Sequence, residues 1–184
     1  MIIESPRLLL MPYSPEHLLA LLDGIERFEQ TFGIPAAEGL RAFLVSDDVS
    51  PEWLGRLRTA SMADPWVHGF AIVDRASRSV IGSLGFKGRP DHDGVVEIAY
   101  GIVPAFERRG LATEAALAGL SFAFAVDAVH RVRAHTRPMN NASRRVLEKC
   151  GFECAGLVED PDDGPVLRWE RGRRHRTTRV SKTV

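Results

Sequence analysis

Residues 94–118, GVVEIAYGIVPAFERRGLATEAALA, change character twice. The first part is rich in β-branched and apolar side chains (Val95, Val96, Ile98, Tyr100, Ile102, Val103) and predicts a strand. Pro104 has no N–H to give a sheet ladder, so it ends that run. Ala105 to Arg109 make a short turn, and Gly110 follows. From Leu111 the run Ala112, Glu114, Ala115, Ala116, Leu117, Ala118 predicts a helix. Strand, glycine-bearing turn and helix in that order aim unpaired N–H groups and the positive end of the helix dipole at the turn. Arg108 and Arg109 add two positive charges there. A phosphate or pyrophosphate suits this arrangement; the plain alternative is a surface turn with two solvated arginines. A nucleoside-triphosphate loop is excluded, because G-x-x-x-x-G-K-[S/T] is absent. A dinucleotide fingerprint is excluded too, since the turn holds one glycine.

Around this stretch the chain alternates short elements. Residues 7–13 read as a strand, followed by a helix capped by Ser14 with Pro15 at its first position and ending at Gly24. His17 reads as a solvated helix residue. Residues 25–45 fit one helix or two, broken at Gly33 and Pro35. A further helix starts at Ser50-Pro51-Glu52 and runs to about Ala63. Residues 66–73 and 80–86 read as a hairpin joined by the polar turn 74–79. Asp91-His92-Asp93-Gly94 reads as a turn rather than a metal triplet. The alanine-rich helix from Gly110 to about Val126, with Gly119 inside it, should lie close on the sheet. Residues 131–136 then complete a β–α–β unit whose strands must be parallel. Asn140 or Asn141 caps a helix to Lys149 that Gly151 stops. Phe152–Leu157 and Val166–Trp169 form a terminal antiparallel pair around the acidic loop 159–164. The fold class is thus α/β (α+β), a single domain over 1–184 with a mixed, mostly antiparallel sheet and a central parallel β–α–β unit flanked by helices. A basic tail occupies 171–184; a solvated or frayed end and a nucleic-acid arm are its two readings.

Bulk properties bound the function. At 184 residues the chain can bury roughly 70% of its unfolded surface in one domain. Lys+Arg and Asp+Glu balance at 24 each, so general attraction to nucleic acid or to an anionic membrane is not implied. No apolar run approaches the roughly 18 residues of a membrane span, and no signal peptide is visible. Cys150 and Cys154, as two buried thiols, fit a cytoplasmic protein.

The segment ERRGLA resembles the [Q/R]-x-x-G-x-[G/A] loop of the GNAT superfamily of acetyl-CoA-dependent N-acetyltransferases. PAFERRGLATEA, followed by RPMNNASRRVLEKCGF, is similar to the branch that acetylates ribosomal-protein N-termini (the RimJ/RimL type), and the likeness runs from SPRLLL to the final strand. Glu107 departs from the Gln or Arg usual at the loop's first position. The resemblance implies acetyl-CoA as co-substrate, no metal, and an amine acceptor, either a protein N-terminus or a small molecule. It implies that Arg108, Arg109, Gly110, Leu111, Ala112 and Thr113 hold the pyrophosphate. Ile102 and Val103 would offer the free strand edge that pairs with pantetheine, and Asn140 and Ser143 would touch the pantetheine arm.

Acetyl transfer needs a base for the ammonium and an acid for the departing thiolate. Glu97 is the first candidate base: its strand partners Ala99 and Gly101 leave space beside it, and an apolar setting would favour the neutral carboxyl. A structural ion pair is the alternative. His135, five residues before Asn140, ranks second. Many relatives carry the acid tyrosine seven residues after the asparagine, where this chain has Leu147. Ser143, one turn earlier, is the remaining candidate acid, with water or a mere helix hydroxyl as alternatives. The cysteines are not a credible nucleophile pair, which favours direct attack in a ternary complex over a covalent intermediate. A domain of this fold that binds acyl-CoA as a sensor without turnover is the alternative function. The acidic loop 159–163 would overhang the acceptor end and attract ammonium groups, unless it is only a solvated turn.

Overall fold

The computed structural model describes residues 1–45, 51–161 and 163–173. In chain order the elements are β1 (Ile3–Glu4), β2 (Leu8–Pro12), α1 (Pro15–Asp23), α2 (Ile25–Phe32), α3 (Leu40–Leu44), α4 (Pro51–Thr59), α5 (Pro65–His68), β3 (Phe70–Asp74) and β4 (Ser79–Phe86). After them come β5 (Val95–Ile102), α6 (Leu111–Ala125), β6 (Arg131–Thr136), α7 (Asn141–Lys149), β7 (Glu153–Asp160) and β8 (Gly164–Gly172). The strands form one sheet in the order β1-β2-β3-β4-β5-β6-β8-β7. Every neighbouring pair is antiparallel except β5 with β6, the unit that α6 connects.

Strand parity assigns the two faces. Leu84 and Ile98 point toward α6, where a Cβ added to Gly119 would stand 2.8 Å from Leu84 and 3.2 Å from Ile98. Glycine there lets the helix approach the sheet as closely as its alanine content predicts. Phe122 of α6 also packs against Phe70, Phe86 and Trp66. The opposite face is covered by α1 to α3: Tyr13 meets Phe28 and Phe32 of α2, and the Phe43 ring of α3 lies over Gly101. Each fully buried Phe or Leu on these faces stabilises the fold by roughly 1.5–3 kcal/mol relative to exposure.

Several local expectations need correction. Residues 65–68 are a helical turn, because the Asp64 carboxylate caps the Trp66 N–H at 3.0 Å with Pro65 at the first position; strand β3 begins only at Phe70. Of the two readings of residues 25–45, the structure has the two-helix one, and α2 stops at Gly33 in the left-handed conformation (φ 77°). His17 is not a solvated residue. Its Nδ1 accepts the Ser14 N–H at 3.1 Å and its ring packs edge-on against Phe32, and burial lowers its pKa against the upward pull of Glu16. Cys150 is buried but Cys154 is exposed, so only one of the two thiols is an interior group. The start of the presumed tail is ordered: Arg171 and Gly172 belong to β8, Arg171 donates to the Cys150 carbonyl, and the Arg173 N–H bonds the His130 carbonyl at 2.9 Å. The rest of the tail, 174–184, and the proposed cap Ser50 lie outside the described residues.

Candidate active site

The loop from β5 to α6 is a cradle of unused donors. The N–H groups of Leu111 to Thr113 precede the first intrahelical bond, Glu114 N–H to Gly110 O at 3.1 Å, and so have no partner within the helix. Arg108 (φ 61°) and Gly110 (φ 77°) both adopt the left-handed conformation, a backbone setting in which successive N–H groups can form a concave anion site. The loop is pinned from a distance by Arg7. Its guanidinium donates to the Arg109 carbonyl at 2.8 Å and pairs with Glu114 at 2.7 Å, while Ser5 Oγ and the Arg7 N–H bond the other Glu114 oxygen. Burial pushes the Glu114 carboxyl upward, but the bonds from Ser5 and Arg7 outweigh it and hold it below the ordinary range. Arg109 extends over the Phe106 ring, 5.0 Å from its centre.

Next to the cradle the sheet forks. Strands β5 and β6 pair only from Val95 to Glu97 against Arg131 to Arg133. Beyond that point β5 stays with β4, and His135 and Thr136 stay with β8. The bonds from Lys87 N–H to Glu97 O and from Val103 N–H to Ile81 O show that odd-numbered residues of β5 face β4. The main-chain groups of Tyr100 and Ile102 therefore face the gap. Val103 does not share this freedom: its N–H is held by Ile81 and its carbonyl by the Phe106 N–H at 2.9 Å. Of the two expected edge residues, Ile102 turns its main-chain groups into the gap and Val103 does not.

A cleft of about 420 Å³ occupies the fork. Glu97, His135, Asn140, Ser143 and Leu147 line it together, although they come from β5, β6 and α7. Glu97 Oε1 lies 2.7 Å from Lys87 Nζ and 3.1 Å from His135 Nδ1, the latter close enough for an ion pair but out of line for a hydrogen bond. The expected apolar setting of Glu97 is thus replaced by two nitrogen groups. Hydrogen bonding to Glu97 raises the Lys87 pKa, opposed by partial burial and aided by the fields of Asp160 and Asp163. Asn140 caps α7, its side-chain oxygen accepting the Ser143 N–H at 3.1 Å. Leu147 is fully buried. The Cys150 thiol, pushed by burial up to about 11, sits against the Thr113 carbonyl and offers no thiolate near neutral pH.

Four residues of this region escaped the sequence reading: Arg7, Lys87, Tyr100 and Arg137. Lys87 was findable, since counting the hairpin register places it opposite Glu97. Arg7 carries no local signal, because its partners lie far along the chain. Among the described residues no cluster of three or more metal-ligating side chains occurs, and no helix is long and apolar enough to cross a membrane. Asp91 Oδ1 accepts the N–H groups of Asp93 and Val95, as a turn requires.

Residues 7–153 match the model of the family described as "Acetyltransferase (GNAT) domain". The Bacillus subtilis protein named "Uncharacterized N-acetyltransferase YjdG" is 33% identical over 89 residues, covering 48% of this chain and 51% of that one. The chain thus spans about half the length of the curated relatives it matches. A GNAT-family acetyltransferase from Bacillus anthracis shares the fold, with a TM-score of 0.61 at 19% identity over 94% of this chain and 98% of that one. So does RimL, a ribosomal L7/L12 α-N-protein acetyltransferase solved with coenzyme A, with a TM-score of 0.63 at 16% identity over 94% and 98%.

Proposed function

The chain belongs to the GNAT acetyltransferase family, and from that premise we propose that it moves an acetyl group from acetyl-CoA to an amine by direct attack in a ternary complex. The observation that carries this reading is the fork between β5 and β6, which joins a cradle of free N–H groups to a cleft holding a paired carboxylate.

Each part of the fork has a task. The N–H groups of residues 108–113 bind the pyrophosphate, helped by the helix dipole. The main-chain edge at Tyr100 and Ile102 pairs with the pantetheine amides as an added strand would, and a main-chain N–H there polarises the thioester carbonyl. The Asn140 amide donates to the pantetheine arm. Glu97, with His135 beside it, accepts the proton of the attacking ammonium. Ser143 lines the cleft and offers a hydroxyl to the pantetheine arm. The acceptor, a protein N-terminus or a smaller amine, enters from the Ala99–Gly101 face beneath Phe43.

Calorimetry with acetyl-CoA, combined with thiol detection over a panel of amines, tests this. Binding with amine-dependent thiol release is expected. Binding without release from any amine would instead favour an acyl-CoA sensor, and absence of binding would remove the reading altogether.

A further inference from the structure

One hydroxyl in the cleft lacks a partner. The Tyr100 phenolic oxygen is buried and makes no hydrogen bond among the described residues. Three residues beyond Glu97 on β5, Tyr100 projects from the opposite side of the strand, toward α7. Ser143 and Leu147 line the same cleft beside it. Burial raises the phenol's pKa and the nearby Ser143 hydroxyl lowers it, yet the two do not meet in hydrogen-bond geometry. A buried donor without an acceptor is unfavourable until a ligand supplies one. Leu147 cannot supply a proton, and the buried Cys150 thiol is turned to the Thr113 carbonyl.

We infer that Tyr100 donates the proton to the departing sulfur, an assignment that rests on acetyl transfer taking place in this cleft. The amine nitrogen bonds to the carbonyl carbon and its proton passes to the Glu97 side of β5. When the tetrahedral centre collapses, the C–S bond breaks and its electron pair stays on sulfur. The phenolic proton moves to that sulfur and leaves a phenolate. Water entering the cleft then returns a proton to the phenolate. Base and acid thus stand on opposite sides of one strand, so a proton leaves on the acceptor side and another enters on the helix side. The groups around the phenol are Ser143 from α7 and Cys150 just after it, with Glu97, Lys87 and His135 across the strand.

Tyr100→Phe keeps the ring and removes only the hydroxyl. The comparison is made in a Cys154→Ser background, which removes the exposed thiol, and a coenzyme-free titration of each protein subtracts the signal of Cys150, whose pKa burial pushes up to about 11. Coenzyme A should bind parent and variant within about threefold, but its bound thiol, followed by thiolate absorbance, should titrate roughly one pH unit higher in the variant for want of a donor to the anion. Turnover of acetyl-CoA should fall about 10²-fold, and the deficit should shrink below about threefold with the selenium analogue, whose selenolate departs without a proton. An unchanged thiol titration, or an equal deficit with both donors, overturns the role of Tyr100 while the acetyl-transfer reading stands. Failure of the parent to bind coenzyme A overturns that reading first, and the assignment with it.

Discussion

The imidazole Nδ1 of His135 lies 3.1 Å from Oε1 of Glu97, at the point where β5 and β6 part. Both side chains are mostly buried, at 18% and 19% exposure. Two residues that the sequence offers as rival bases are therefore one unit. Glu97→Gln should lower kcat by roughly 10²–10⁴-fold with acetyl-CoA affinity nearly intact. His135→Asn should cost less, and the double variant should be no worse than Glu97→Gln alone, because partners in one proton path are not additive. Steady-state rates for the four proteins decide it. Multiplying losses would mean separate roles.

Gly110 tests the cradle. Its φ of 77° is a conformation that a β-branched residue resists, and a Cβ there would sit 3.5 Å from the Arg7 guanidinium at the start of α6. Gly110→Val should abolish calorimetric binding of acetyl-CoA while far-ultraviolet circular dichroism stays at the parent level. The strain should cost about 1–3 kcal/mol of stability, small enough to leave the domain folded. Unchanged affinity would remove the loop from the site.

Glu114 predicts an acid limb in stability. Its folded-state pKa is depressed, so the Ser5–Arg7–Glu114 contacts stabilise fully above the unfolded value of roughly 4.3 and fade as pH falls through the folded value. Parent Tm should fall more steeply than that of Glu114→Gln over this acidic window, and the variant should already be less stable at pH 7. Arg7→Gln should also weaken acetyl-CoA binding several-fold, since Arg7 holds the Arg109 carbonyl. Parallel Tm profiles for parent and Glu114→Gln would discount the network.

Much of this site was readable because its elements announce themselves locally. The strand–turn–helix around Gly110 follows from side-chain type and from Pro104. The parallel pairing of β5 and β6 follows from the length of the crossover. The helix over 65–68 was missed because Trp66 and Val67 resemble strand residues while the Asp64 cap and Pro65 override that propensity. The environment of Glu97 was misjudged because alternation assigns a face but does not say who crosses it; Lys87 arrives from the neighbouring strand. Arg7 and Tyr100 illustrate a further limit. One acts across more than half the chain, and the other matters because of what its hydroxyl fails to touch.

The loop between β7 and β8 supplies the last prediction. Asp163 lines the cleft, its N–H bonds Asp160 Oδ1 at 3.0 Å, and the fields of both acids reach Lys87. Asp163 thus stands at the cleft, while Asp160 ends β7 and reaches it only through its field; Asp162 lies outside the described residues. The field is not purely negative, because Arg137 stands 3.6 Å from Asp163 and Lys87 sits beside Glu97. At close range these cations offset the acids, so a monoamine should gain little from steering. A polyamine spans a longer path and meets Asp160 as well as Asp163 before docking. Its kcat/KM should fall with ionic strength as the screening length shrinks from about 10 Å at 0.1 M toward 3 Å at 1 M, while the monoamine value barely moves. Asp160→Asn with Asp163→Asn should flatten the polyamine slope at nearly constant kcat. Arg137→Gln, which uncovers Asp163, should steepen it. Opposite responses of the two variants would identify electrostatic attraction at the mouth, because a loop acting only by its shape has no reason to answer to the sign of a charge. Equal slopes in parent and both variants would reduce the loop to a hairpin turn.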